Sequence, residues 1–218
     1  MIIEEFLIED IKLKYFVGIA QIKLDSSSLE LQQILELVNV IKNNYKNSYL
    51  QFFNDKYVLN TQHIYQACYF TQKSFYYETN ISNQKELEFL LYLATKRQIK
   101  DAINDFGIDL EYLKKGIINL CIISSDQTIN KIYNHVNTLL KAVETKFILN
   151  NLNIEKFNII SKYFGFSVNQ ITSILKSYNI HVDVENPNIG DLNSLYLALN
   201  DLICERMALL SLEKVSSV

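Results

Sequence analysis

The chain has 218 residues, 49% of them hydrophobic and 21% charged, with a formal net charge of −3. That apolar content is ample for a folded core and excludes a disordered chain. The acidic balance excludes a generic polyanion binder, whose surface must be dominantly basic.

The chain opens Met1-Ile2-Ile3-Glu4-Glu5, with acidic residues where a signal peptide carries positive charge. The apolar run at 117–123 is too short to span a bilayer. A cytoplasmic location is the simplest expectation, extending to the nucleus in a eukaryote. Residues 2–8 and 14–24 are rich in Ile, Phe, Val and Leu and predict strands. Ser26, Ser27 and Ser28 punctuate, and Ser27 with Glu30 has capping-box spacing. Leu31, Ile34, Leu35, Val38 and Ile41 then recur at helical period, predicting a helix over 28–45. Residues 49–53 predict a short aromatic strand. Asn60 or Thr61 can cap a helix with Ile64, Ala67, Cys68, Thr71 and Phe75 inward. Ser82 can cap the next, with Leu87, Leu90, Leu91 and Ala94 inward, and Ile99, Ala102, Ile103 and Phe106 predict another, stopped by Gly107. A buried strand is expected at 117–123. A helix follows with Ile129, Ile132, Tyr133, Val136 and Leu139 inward, then a last strand at 144–149. Beyond that the pattern is helical. Asn153 caps a helix ending at Gly165, Ser167 with Gln170 opens a second, 179–190 reads as a linker, and 191–212 closes the chain.

Strands and helices mix without regular alternation, so the expected class is α+β: a small mixed or antiparallel sheet against several helices, with a helical C-terminal part. The division expected is a core over 1–150 and a helical extension over 151–218.

Active-site chemistry is absent from the pattern. The glycines, at 18, 107, 116, 165 and 190, never cluster into a phosphate loop. His63, His135 and His181 have no metal-ligand spacing with one another or with Cys68, Cys121 and Cys204. The histidines are expected on surfaces or helix flanks, and the cysteines as small buried hydrophobes. No catalytic residue, metal or cofactor is implied.

The informative stretch runs from Glu88 to Gly107. Two amphipathic helices meet with almost no loop, and Thr95 is expected to cap the second. Lys96, Arg97, Gln98 and Lys100 then fall in its first turn. Cations at a helix start oppose the dipole by roughly 0.3–1 kcal/mol. Together with free backbone N–H groups they suit an anion, a phosphate above all. A solvated first turn, or an Arg97 pair with Glu86 or Glu88, accounts for the same residues. An enzyme centred on Glu88, Arg97 and His63 is the rival reading.

Glu88, Ala94, Arg97-Gln98-Ile99, Ala102-Ile103 and Phe106-Gly107 resemble the CGI-type family of KEOPS subunits, whose animal member is called PRPK-binding protein. Phe52 to Asp55 with the helix holding His63 and Ala67, the strand Leu120 to Ser124, and the end from Leu202 to Leu209 agree with the family's order of blocks. The likeness covers most of 14–145 and 191–212. Members often carry Gly just before Arg-Gln-Ile, where this chain has Thr95-Lys96, and 165–190 looks like an insertion.

The resemblance implies a non-catalytic subunit of the complex that installs threonylcarbamoyl on an adenosine of transfer RNA. It implies docking on the kinase-like ATPase subunit and recruitment of tRNA by its 3′ CCA end. Lys96, Arg97, Gln98 and Lys100, extended by Lys73, are the expected tRNA-binding residues. Leu199, Ile203, Met207 and Leu210 are the expected kinase-binding face, with ordinary core as the other reading of these four. A homodimer of the isolated chain, formed through the last helix, is a further alternative.

Overall fold

A computed structural model describes residues 1–24 and 31–212 of the chain. Strands β1 (Ile2–Ile8) and β2 (Leu13–Leu24) form a hairpin, followed by α1 (Leu31–Asn44) and β3 (Ser48–Phe53). Helices α2 (Thr61–Tyr76), α3 (Lys85–Ala94), α4 (Ile99–Phe106) and α5 (Leu110–Lys114) precede β4 (Ile117–Ser124), α6 (Ile129–Leu140) and β5 (Ala142–Glu144). The chain ends in α7 (Ile154–Phe164), α8 (Val168–Ser177) and α9 (Leu192–Leu212).

The class is α+β, as the pattern implies. The sheet is antiparallel in the order β1-β2-β4-β3. β5 pairs Ile22–Leu24 on the edge of β2 that β1 leaves free beyond Ile19. Side chains alternate across this sheet. Tyr15, Val17, Ile19, Tyr49, Phe53, Cys121 and Ile123 enter one core with α2, α3 and α7 to α9. Phe16, Ala20, Ile22, Leu50, Phe52, Leu120 and Ile122 enter a second core with α1 and α6. Helices cover both faces, so β2 and β4 read as near-continuous apolar runs rather than in–out alternation.

At Gly18 helix α6 lies directly on β2: a Cβ there would sit 2.4 Å from Ile129 Cγ2. Buried polar residues inside the sheet satisfy one another: Gln21 Nε2 donates to Asn119 Oδ1 at 3.1 Å across β2 and β4, and the Ser48 and Ser124 hydroxyls meet at 2.7 Å across β3 and β4.

Three expected caps form. Asn60 Oδ1 accepts from His63 N, Asn153 Oδ1 accepts from Lys156 N, and Ser167 with Gln170 makes a reciprocal capping box. Other local expectations are corrected. Ser82 does not cap α3, whose N-cap is Gln84; instead its N–H donates to Glu88 Oε2 at 2.7 Å. Leu139 is exposed and Leu140 is buried in its place. The strand expected over 144–149 ends at Glu144, where Thr145 N–H closes on Gln21 O at 2.9 Å. The short α5, capped by Asp109, was not expected. The Ser27–Glu30 capping box and the start of the helix predicted from 28 lie outside the described residues.

Candidate nucleic-acid interface

Helix α3 carries the site. Phe89 through Ala94 are all buried, so it runs through the core rather than over the surface. Each end is held by a buried polar group. Glu88, fully buried, accepts from Ile81 N, Ser82 N and Ser74 Oγ at 3.0, 2.7 and 3.3 Å, fastening the loop before α3 to α2. At the other end His63 Nε2–H donates to Leu93 O at 3.0 Å, while its Nδ1 accepts from Leu59 N at 3.2 Å. The expectation that His63 flanks a helix in water is therefore corrected. It is wholly buried, and burial pushes its pKa down to about 3 against the raising effect of the Leu93 carbonyl.

The joint to α4 is a Schellman turn. Thr95 N–H reaches Tyr92 O and Lys96 N–H reaches Leu91 O, each at 3.0 Å, with Thr95 in the left-handed region at φ 51°. Thr95 thus ends α3 instead of capping α4, whose N-cap is Gln98 without a side-chain cap. Lys96 and Arg97 precede the helix, and only Lys100 of the four falls in its first turn, beside Asp101. That acid already complements the dipole. Gly107, expected as a left-handed stop, has φ −70°; glycine fits there because a Cβ would meet Ile103 O at 2.4 Å.

The predicted site residues divide into groups. Arg97, Gln98 and Lys100 are exposed together on the joint. Arg97 Nη1 also donates to Leu210 O at 3.4 Å, tying the joint to the end of α9. Lys96 turns back onto Asp105, which Tyr163 Oη also reaches at 2.6 Å, and sits 5.3 Å from the Tyr163 ring centroid. Lys73 comes from another helix. Ser74 meets Glu88 at the start of α3 while His63 meets Leu93 at its end, so α2 and α3 run antiparallel. Lys73, near the end of α2, lines a groove with Ser211 and Leu212 of α9, next to the Leu210 carbonyl that Arg97 reaches. It pairs with Asp10 at 2.9 Å and with Tyr69 Oη at 3.1 Å.

The residues of the rival enzyme reading do not converge either. Glu88 and His63 are buried at opposite ends of α3, and Arg97 lies on the surface. Among the described residues no group of three His, Cys, Asp or Glu is placed to hold a metal ion.

The face expected on α9 is corrected. Leu199, Ile203 and Met207 are 0% exposed and Leu210 is 6% exposed, so all four hold α9 to this chain's own core. The apolar residues that α9 turns outward include Leu209 and Leu212. Two residues read as inner also turn out: Ile99 and Ile103 are exposed on α4, whose inner side is Ala102 and Phe106. Ile103 borders a cavity of about 390 Å³ walled by Leu35, Val38, Leu87 and Leu90 between α1 and α3. Period alone could not find this, because it counts all four apolar residues as one face.

These features define an α+β protein whose candidate site is an open helix joint carrying cations and apolar side chains. A family model, the kinase binding protein CGI-121, matches residues 27–211. The chain belongs to that family. No curated protein matches it. Among the described residues no helix is long and apolar enough to cross a membrane.

Proposed function

We propose that this chain is a non-catalytic KEOPS subunit that binds the complex's kinase-like ATPase and recruits transfer RNA through its single-stranded 3′ CCA end. Membership of the kinase-binding family supports the first half. The second half rests on the joint, where Arg97, Gln98 and Lys100 stand exposed on one turn with Ile99 and Ile103 beside them. Single-stranded ends are held by phosphate-directed cations together with surfaces that take up unstacked bases. The cavity next to Ile103 offers an apolar wall for a base, and Lys100 and Arg97 the charge. The cytoplasm is the proposed location, with the nucleus added in a eukaryote.

The kinase-binding face is assigned to Leu209 and Leu212, the outward apolar residues near the end of α9. Beside them a groove of about 570 Å³ runs between α9 and α2, walled by Tyr69, Phe70 and Tyr77. Exposed apolar anchors beside a groove suit a protein partner.

Co-expression with the kinase-like subunit tests this face. The two chains should co-purify, and Leu209→Glu should separate them with the circular dichroism spectrum unchanged. Co-purification of that variant at wild-type yield would remove α9 from the interface. A chain that pairs only with itself would favour the homodimer.

Lys100→Ala tests the RNA half without disturbing the Arg97 bond. It should weaken tRNA binding on every sequence alike and lower the slope of log affinity against log salt by about 0.7, one phosphate contact on a single strand. An unchanged slope would take Lys100 out of the site.

A further inference from the structure

A cavity of about 510 Å³ opens where the ends of α1 and α2 meet the start of α3. That volume lies within the range of small-ligand sites, roughly 300–1,000 Å³. Its wall is mixed, with apolar surface beside mainly basic charged groups. Among the described residues, Lys42, Lys46 and Lys85 line it against one carboxylate, Glu86, which Lys42 approaches to 3.5 Å. Lys85 Nζ donates to Gln72 Oε1 at 3.1 Å and lies 5.7 Å from the Tyr49 ring centroid. Burial lowers the pKa of Lys85, with Glu86 only partly opposing it, so its ammonium is poorly compensated. Tyr49 belongs to the same wall, is 5% exposed, and has a hydroxyl with no hydrogen-bond partner among the described residues. Tyr76, half exposed, supplies a ring at the rim.

We propose that this cavity binds a small phosphorylated ligand of nucleotide size, its phosphate between Lys46 and Lys85 and its ring against Tyr76. Three ammonium groups against one carboxylate select an anion, and lysine meets phosphate as a point charge. The volume leaves room for a ring system beyond the phosphate, and aromatic edges favour a planar one. The cavity adjoins the start of α3, whereas the Arg97 joint follows its end, so the inference does not depend on the reading of that joint.

Titration of the purified full chain with adenosine monophosphate, adenosine and inorganic phosphate, followed by calorimetry, tests it. Saturable binding of the nucleotide is expected, with each fragment weaker by about tenfold or more. Lys46→Met, a change at an exposed position, should weaken the nucleotide about tenfold. Absence of saturable nucleotide binding up to about 1 mM, a very weak affinity, overturns the proposal. So does wild-type affinity in Lys46→Met. Inorganic phosphate binding as tightly as the nucleotide overturns the aromatic half and leaves an anion site.

Discussion

Thr95 is a β-branched residue held at φ 51°, a conformation that costs an L side chain roughly 1–2 kcal/mol. The turn keeps it because two backbone bonds close there and α3 is locked in the core on the other side. The Schellman turn needs a left-handed residue at this position, which glycine supplies without strain. Thr95→Gly should therefore raise stability by about 1 kcal/mol, less the entropy that glycine adds to the unfolded chain. Chemical denaturation checks this, and a loss of stability would contradict the reading of the turn. His63 carries a second consequence. The folded imidazole refuses a proton until about pH 3, whereas the unfolded one takes it up near pH 6.5. The unfolded state then holds more protons between those values, so stability is full above 6.5 and falls with pH. The unfolding free energy should be about 1.4 kcal/mol lower at pH 5.5 than at 7.5, and His63→Gln should flatten that difference. An equal slope in both proteins would put the titration elsewhere. Neither the burial of His63 nor the strain at Thr95 was legible in the sequence. Both arise from what packs around them, and a single histidine in a helix reads the same whether wet or dry.

Elements were more legible than their faces. Caps written in side chains, Asn60, Asn153 and Ser167, fall where the pattern put them, because an Asx or Ser oxygen acts on a backbone N–H only two or three residues away. Faces depend on what lies opposite. Period predicts Ile99 and Ile103 inward, yet α4 buries Ala102 and Phe106 and leaves those two exposed. The last helix shows the reverse case: it is apolar on several sides, and burial took Leu199, Ile203, Met207 and Leu210 while leaving Leu209 and Leu212 outside. Sequence shows how wide such a cover is but not which part of it meets the core. The contact of α6 with β2 gives a test at this scale. Gly18→Ala places a methyl group 2.4 Å from Ile129 Cγ2, so the Ile129 side chain or the helix that carries it must shift. A loss of about 1–3 kcal/mol is expected. Ile129→Ala should recover part of that loss in the double variant, which double-mutant denaturation would reveal. Additive losses would mean that the contact is not what excludes a side chain at 18.

At the scale of the whole molecule, two helical layers enclose one antiparallel sheet, and α3 threads through the larger core from Glu88 to the Arg97 joint. The extension proposed over 151–218 contributes Phe157, Ile160, Leu175 and most of the inner side of α9 to that same core. This arrangement gives the joint a rigid base: α3 is pinned at both ends, and Arg97 and Tyr92 tie it to the last turn of α9 through Leu210 and Ser211. A chain with a modest net negative charge can then present a local cationic turn without a basic surface. The recruitment of tRNA by its single-stranded end is the claim on which the account turns. It is tested most directly by measuring the affinity of the purified chain for one transfer RNA with its 3′ CCA intact and with those three nucleotides removed. The account predicts a loss of about tenfold or more on trimming, and a matching loss in Lys100→Ala would be absent on the trimmed RNA. Equal affinity for the two RNAs would contradict it.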